Sequence, residues 1–403
     1  MHDRALVYDL SKAYHQMQTT EKEFFMRLVC WKYEKDGKWH YYGHTCVGMG
    51  DVSASVFLEL TKEKIAEVGK AVDEWAARQL EKNDDDVLGG GSREEVGRMK
   101  GSCRVLHDGS LQYDGTISTI LSEASFKPKA IICSGEDDPA VLAKLGKVLG
   151  LKWNPGPDTI SMHFEYTMPQ RKGSRTTVGD VKCTMEIIED LMFTKRLALT
   201  FTAQMFDPLG LCSVWIVRFK IDLRVIVTLN LDWDQEVPEE MQRTWRGLMK
   251  EAVAVEPLDF PRSLRTERCQ SVPEVIGFWD GSDVAYGCVV YIRWPTDDPE
   301  VWHTSIMSSK SRVTPRAGCT TPRAELCGLV MLTRLVKTIV TSMEPAPSRI
   351  TLCGDSTCTI SACELNCASL QPFFSNRVME ALTNMSDIAD TCPWPATAQG
   401  LCQ

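Results

Sequence analysis

Acidic residues recur in two settings where oxygen ligands could gather around divalent cations. The first is Asp9, in Val7-Tyr8-Asp9-Leu10-Ser11, with Asp85 and Asp86 in Asn83-Asp84-Asp85-Asp86-Val87-Leu88-Gly89. The second is Asp280 in Trp279-Asp280-Gly281-Ser282, Glu325 in Arg323-Ala324-Glu325-Leu326, and Asp355 in Cys353-Gly354-Asp355-Ser356. Carboxylates converging from separate strands suit Mg²⁺, a hard cation that takes oxygen ligands and assists phosphoryl chemistry. Two such sets point to two phosphodiester sites. Taken alone, an Asp-Asp pair reads as a solvated turn. A lone Glu near a helix start reads as a charge favoured by the helix dipole.

The elements around these acids decide between the readings. Residues 4–9 form a short apolar run that predicts a buried strand ending in Asp9. Residues 24–49 predict two strands about the turn Lys35-Asp36-Gly37-Lys38. Leu58, Ile65, Val68, Val72, Trp75 and Leu80 fall at helical spacing and predict one amphipathic helix ending before Asn83. Residues 87–115 read as hairpin and loop, 117–123 as helix, and 130–133 as strand. Residues 180–255 read as mostly helical, broken at Phe206-Asp207-Pro208-Leu209-Gly210, and 257–273 as a polar linker. Beyond it, three alternating strands precede a helix with Leu326, Leu329, Leu332, Leu335 and Ile339 on one face, and a fourth strand at 350–352. That order can bring Asp280, Glu325 and Asp355 to one place.

The bulk composition is that of a globular protein: 403 residues, 43% hydrophobic and 25% charged. A net charge of −9 argues against a protein that coats nucleic acid, although local basic patches remain compatible with it. Sixteen cysteines match neither paired CxxC knuckles nor a small disulfide framework. Cys353, Cys358, Cys363 and Cys367 could be read as a metal cluster, but buried thiols in a reducing compartment are the better expectation. With no secretory signal and no long uncharged run, an intracellular protein, cytoplasmic or nuclear, without membrane partners is expected.

The ordered motifs resemble a known family. Asp9-Leu10-Ser11-Lys12-Ala13-Tyr14, the Asp-Asp turn with its glycine-rich exit, and Lys147-Val148-Leu149-Gly150-Leu151-Lys152-Trp153 come first. Thr194-Lys195-Arg196, Phe206-Asp207-Pro208-Leu209-Gly210, Asp232-Trp233-Asp234, Asp280-Gly281-Ser282 and Pro322-Arg323-Ala324-Glu325-Leu326 follow. In that order they resemble the polymerase polyprotein of Bel/Pao-type long-terminal-repeat retrotransposons. The resemblance implies an α+β reverse transcriptase palm at 1–165 and a mostly helical thumb or connection at 166–260. An α/β ribonuclease H-like domain would follow at 274–403. It further implies RNA-directed DNA polymerase activity with Asp9, Asp85 and Asp86 holding Mg²⁺ or Mn²⁺. Tyr14 would lie under the incoming deoxynucleotide, and Gln16, with Gly50, would line the nucleotide and template site. The second acid set would hold metals for cleaving RNA in an RNA–DNA hybrid. Partners would be RNA template, DNA primer, dNTP and hybrid; oligomeric state is left open. The region after the palm is often labelled a peptidase, but no Asp-Ser-Gly or Asp-Thr-Gly triplet is present.

The pattern also departs from the family. Asn83 stands where an aromatic Tyr is usual, and Asp84 adds like charge. The chain opens on the first catalytic strand, so the fingers are expected to be missing. Asp387 and Asp390 come too early for a fourth ribonuclease H carboxylate, and 391–403 leaves the pattern. Truncation at both ends and weak or absent activity are therefore expected. A non-enzymatic nucleic-acid-binding or interaction remnant of a retrotransposon is the competing reading.

Overall fold

The computed structural model describes residues 3–20, 22, 28–32, 37–47, 54–81, 86–145, 147–148, 150–162, 166, 183–254, 258–270, 272–315, 318–365 and 367–388. The chain divides into two compact units, residues 2–160 with 261–263, and residues 161–260 with 264–403. Among the described residues no helix is long and apolar enough to cross a membrane.

The first unit is built on β1 (Arg4–Leu10), which lies between β4 (Asp86–Gly91) and β7 (Pro128–Cys133) in an antiparallel sheet. β1 is buried on both faces because its side chains alternate between two cores. Leu6, Tyr8 and Leu10 join one core with the helices Ala54–Gly69, Glu74–Glu81 and Thr116–Glu123, while Ala5 and Val7 join a second with Ile132 and Trp153. β2 (Leu28–Lys32) and β3 (Trp39–Gly43) form the expected hairpin, and β5 (Cys103–Val105) with β6 (Leu111–Tyr113) forms another. The short strands β8 (Lys152–Asn154) and β9 (Thr159–Met162) follow.

Three sequence expectations fail here. The single amphipathic helix is two helices, broken after Gly69, and Val68 and Val72 are exposed instead of facing the core. Asp73 explains the restart: its carboxylate accepts the Trp75 and Ala76 backbone N–H groups at 3.0 and 3.1 Å, a cap that opens a new helix. Residues 93–100 are a helix, not loop, held by a reciprocal capping box between Ser92 and Glu95. The 257–273 stretch contains β10 (Leu258–Pro261), followed by Arg262, which makes paired bonds to Asp158.

The second unit holds four antiparallel and parallel strands in the order β13-β12-β11-β14. These are β11 (Glu274–Gly281), β12 (Ala285–Pro295), β13 (Trp302–Val313) and β14 (Arg349–Cys353). β14 runs parallel to β11, reached through the helix Thr321–Thr341. Val275, Trp279, Val290, Ile292 and Trp294 pack against Leu326, Leu329, Leu332 and Val336, so the predicted helix stripe is core. The preceding helices surround a second set of rings: Phe193, Phe219 and Trp245 lie with centroids 5.7 and 5.6 Å apart. Buried Gln242 closes this layer by bonding both the N–H and the carbonyl of Phe193. Gly210 docks the segment onto the sheet. Its φ is +75°, and an added Cβ would meet the Ser309 carbonyl oxygen at 1.7 Å, so the chain can turn there only as glycine.

Asp73 also accepts from Arg98 at 2.8 Å and Thr116 at 3.2 Å. Burial alone would raise its pKa, but these donors overcome that and hold it below the usual carboxylate range. Its stabilising contribution is therefore present above the ordinary aspartate pKa and lost as pH falls through the depressed value. Asp73→Ala should lower unfolding free energy by about 1–3 kcal/mol at pH 7 and by less near pH 3, read from urea denaturation.

Candidate metal centre

Asp280 lies near the end of β11, Glu325 in the first turns of the helix Thr321–Thr341, and Asp355 just past β14. One ligand oxygen from each lies within 4.8 Å of the others. Among the described residues this is the group of His, Cys, Asp and Glu side chains close enough to share a cation; Cys353, Cys358, Cys363 and Cys367 do not gather that way.

The convergence follows from local sequence. β11 alternates, placing Val275, Gly277, Trp279 and Gly281 toward the helix and leaving Asp280 exposed. Gly281 lets the helix backbone come close: a Cβ there would sit 2.4 Å from the Glu325 nitrogen. Parallel pairing of β11 with β14 then brings Asp355 to the same sheet end. The Gly281 N–H donates to Asp280 Oδ1 at 2.7 Å, which fixes one oxygen of that carboxylate.

Glu325 is the unusual member. It is 7% exposed, and its Oε2 is buried without a hydrogen-bond partner. Burial, then the charges of Asp280 and Asp355, push its pKa up to about 7. A buried, orphaned carboxylate oxygen beside two further carboxylates fits a hard divalent cation, which would supply the missing opposite charge. Asp387 does not extend the cluster; it pairs with Lys337. Asp390 lies outside the described residues.

The first acid set is only partly described. Asp9 and Asp86 are directly opposite one another in the β1–β4 ladder. The register between β1 and β7 shifts between Tyr8 and Leu10, so Asp9 lies at an irregularity of that pairing. Asp9 is half exposed, with Lys129 Nζ 3.5 Å from its carboxylate. Asp85 and Gly50 lie outside the described residues, as do Asn83 and Asp84. Tyr14, on the short helix Ala13–Gln16, packs partly buried against the core beside Leu10 and Ala13. Gln16 is exposed and lines a cavity of about 450 Å³ with Met17, Phe57 and Phe126, one that Asp9 does not line.

Sequence reading passed over Lys129 and the packing role of Gly281. The glycine closing β11 was the available signal for the latter, since a glycine within a strand often marks close backbone approach.

Residues 194–356 match the family model described as the Pao retrotransposon-like RNaseH-like domain. No curated protein matches. The solved structures similar to this chain include the N-terminal RNase H domain of rv2228c from Mycobacterium tuberculosis, solved as a maltose-binding-protein fusion. It is 17% identical with TM-score 0.23, over 32% of this chain and 86% of that one. RNase H1 from Halobacterium salinarum NRC-1 is 14% identical with TM-score 0.21, over 30% of this chain and 80% of that one.

The raised pKa of Glu325 gives a signed expectation for metal-free protein. The folded state holds this proton up to about pH 7, whereas the unfolded chain releases it near the ordinary glutamate value of 4.5. Its contribution is thus complete below the unfolded pKa and lost as pH rises through the folded one. Between pH 4 and pH 8 in EDTA, wild type should lose on the order of 2 kcal/mol relative to Glu325→Gln. Differential scanning calorimetry of both proteins would show equal pH slopes if Glu325 is not perturbed.

Proposed function

We propose that the second unit is a retroelement-type ribonuclease H that hydrolyses the RNA strand of an RNA–DNA hybrid. The observation that carries this reading is the gathering of Asp280, Glu325 and Asp355 around one point with Glu325 Oε2 buried and unsatisfied. The family match over 194–356 supports it. Mg²⁺ or Mn²⁺ held by the three carboxylates would neutralise charge on the scissile phosphate and acidify attacking water.

The residues contribute in different ways. Asp280, anchored through Gly281 N–H, presents its second oxygen at fixed geometry. Asp355 stands beside Ser356, the N-cap of the helix Thr357–Glu364, so strand and helix both hold its backbone. Glu325 carries a proton near neutral pH when no cation is present and must give it up to serve as a ligand. Cation affinity should therefore rise with pH across the range where Glu325 ionises. The helices at 195–254 are assigned a connection-like supporting role.

A labelled RNA–DNA hybrid should be cut in Mg²⁺, with Asp280→Asn lowering the rate at least about a hundredfold, as expected for loss of a metal ligand. Cleavage by wild type that persists in EDTA, or cleavage by the variant at the parent rate, would sink the assignment.

A specific observation also favours a second reading. Asp9 and Asp86 are paired in the β1–β4 ladder, and that backbone pairing supports reading the first unit as a polymerase palm. We therefore propose RNA-directed DNA polymerisation as the ancestral chemistry of the first unit, with Asp85 as the third ligand and Tyr14 and Gln16 nearer the nucleotide. Metal titration should read this without turnover: Mn²⁺ should quench the fluorescence of the separate first unit, and Asp9→Asn should weaken that quenching about tenfold.

A further inference from the structure

We propose that Phe373 is a positioning residue for the metal centre: its ring holds Arg323, and with it the helix turn that presents Glu325; this rests on the ribonuclease reading above. That turn needs a hold. Thr320, the N-cap of the helix Thr321–Thr341, makes no side-chain capping bond, and the first turn carries no acidic residue to favour the helix dipole. On the sheet side the turn is fixed, since Gly281 lets the Ala324 and Glu325 backbone approach the strand. Arg323 is exposed, next to buried Ala324, and stands outside that contact.

The hold comes from the helix Pro372–Ser386. Phe373, in its first turn, is half-buried against the core that includes Leu326 and Leu329. Arg323 lies over its ring with Cζ 4.8 Å from the centroid, and Arg377 lies over it at 3.7 Å. Arg377 also donates to the Phe373 carbonyl at 3.2 Å, which braces the ring's own backbone. Two like charges gathered there need a source of negative potential, and the face of the ring supplies it. Neither arginine forms an ion pair among the described residues, so the ring is the partner that fixes Arg323.

The placement of this contact is what ties it to the acids. The two helices run in the same direction and are linked again further along. Asn384 donates to Thr333 Oγ1 at 3.3 Å, Arg334 pairs with Glu380, and Lys337 pairs with Asp387. Those links start at Thr333, eight residues beyond Glu325 (333 − 325 = 8), which is more than two helical turns. Among these links, Arg323 on Phe373 alone lies at the end that carries the acid. Glu325 shares its site with Asp280 and Asp355, and their repulsion pushes a loose turn outward. A ring that stops this motion keeps the ligand oxygens within reach of one cation, and a metal's affinity depends on the groups that orient its ligands.

Mn²⁺ binding to the full chain, followed through the loss of the free-ion EPR signal, reads the centre without turnover; the binding that Asp280→Asn removes belongs to it. Phe373→Leu keeps apolar bulk but has no ring face, and should weaken that binding about tenfold. Phe373→Trp should restore it, and Arg323→Gln, which leaves the ring in place on an intact core, should match Phe373→Leu. In hybrid cleavage Phe373→Leu should lose about tenfold in kcat while KM for the hybrid stays at the parent value. A ring that only fills space predicts a lower Tm for Phe373→Leu and Phe373→Trp alike, with Mn²⁺ affinity equal to the parent's. That result would overturn the proposal, as would Phe373→Trp binding Mn²⁺ no better than Phe373→Leu. A parent without any Asp280-dependent Mn²⁺ binding would overturn the metal centre and this role of Phe373 together. A parent that binds Mn²⁺ but leaves hybrid uncut would overturn the nuclease reading alone, because the affinities judge Phe373 without turnover.

Discussion

Three carboxylates within a few ångströms repel one another, and one of them is also cut off from water. That concentration of like charge is the constraint around which the second unit is arranged. Nothing local to the acids favours it. It is imposed by packing elsewhere: the apolar layer of Val275, Trp279, Val290 and Ile292 against Leu326, Leu329 and Leu332 fixes sheet and helix at one separation. Gly281 then brings the helix start onto the strand, so Glu325 is buried whether or not its charge is comfortable there. A raised pKa is the consequence. Burial keeps on Glu325 a proton that an exposed glutamate would release, and the energy for this comes from the hydrophobic core.

The acids of the second unit were legible because they close strands or open helices, and alternation located those ends. Strand order was legible for the same reason. Where reading failed, short-range polar chemistry outweighed apolar spacing. A helical stripe ran through Val68 and Val72, but Asp73 accepts two backbone N–H groups and restarts the helix in a different phase. Ser92 and Glu95 carried a capping-box signature within a glycine- and charge-rich stretch that read as loop. Lys310 and Arg312 sit on a strand while Arg334 and Arg377 come from two helices, and they line one cavity that only tertiary packing assembles, so sequence spacing carried no mark of it.

The two acid sets differ in how their geometry is enforced. In the first unit, Asp9 and Asp86 are adjacent through backbone pairing, and Lys129 reaches Asp9 from the third strand. A cation partner at 3.5 Å offsets part of the negative charge there. In the second unit no such neighbour of Glu325 is found among the described residues, and its burial is far deeper. The second set is thus the one in which like charge is less offset among the described residues.

Gly210 and the loop before it have an effect beyond docking a helix. β13 is the outer strand of its sheet, and its free rim would be a template for pairing with another chain. The Leu209 carbonyl accepts the Ser309 N–H at 3.0 Å, while Ser308 and Ser309 hydroxyls bond the Leu209 and Gly210 carbonyls. The helical segment therefore shields that rim. A shortened protein begun at the polar stretch before β11 would leave it bare, and self-association through β13 would follow from the loss of a cover, with Asp280, Glu325 and Asp355 all still in place.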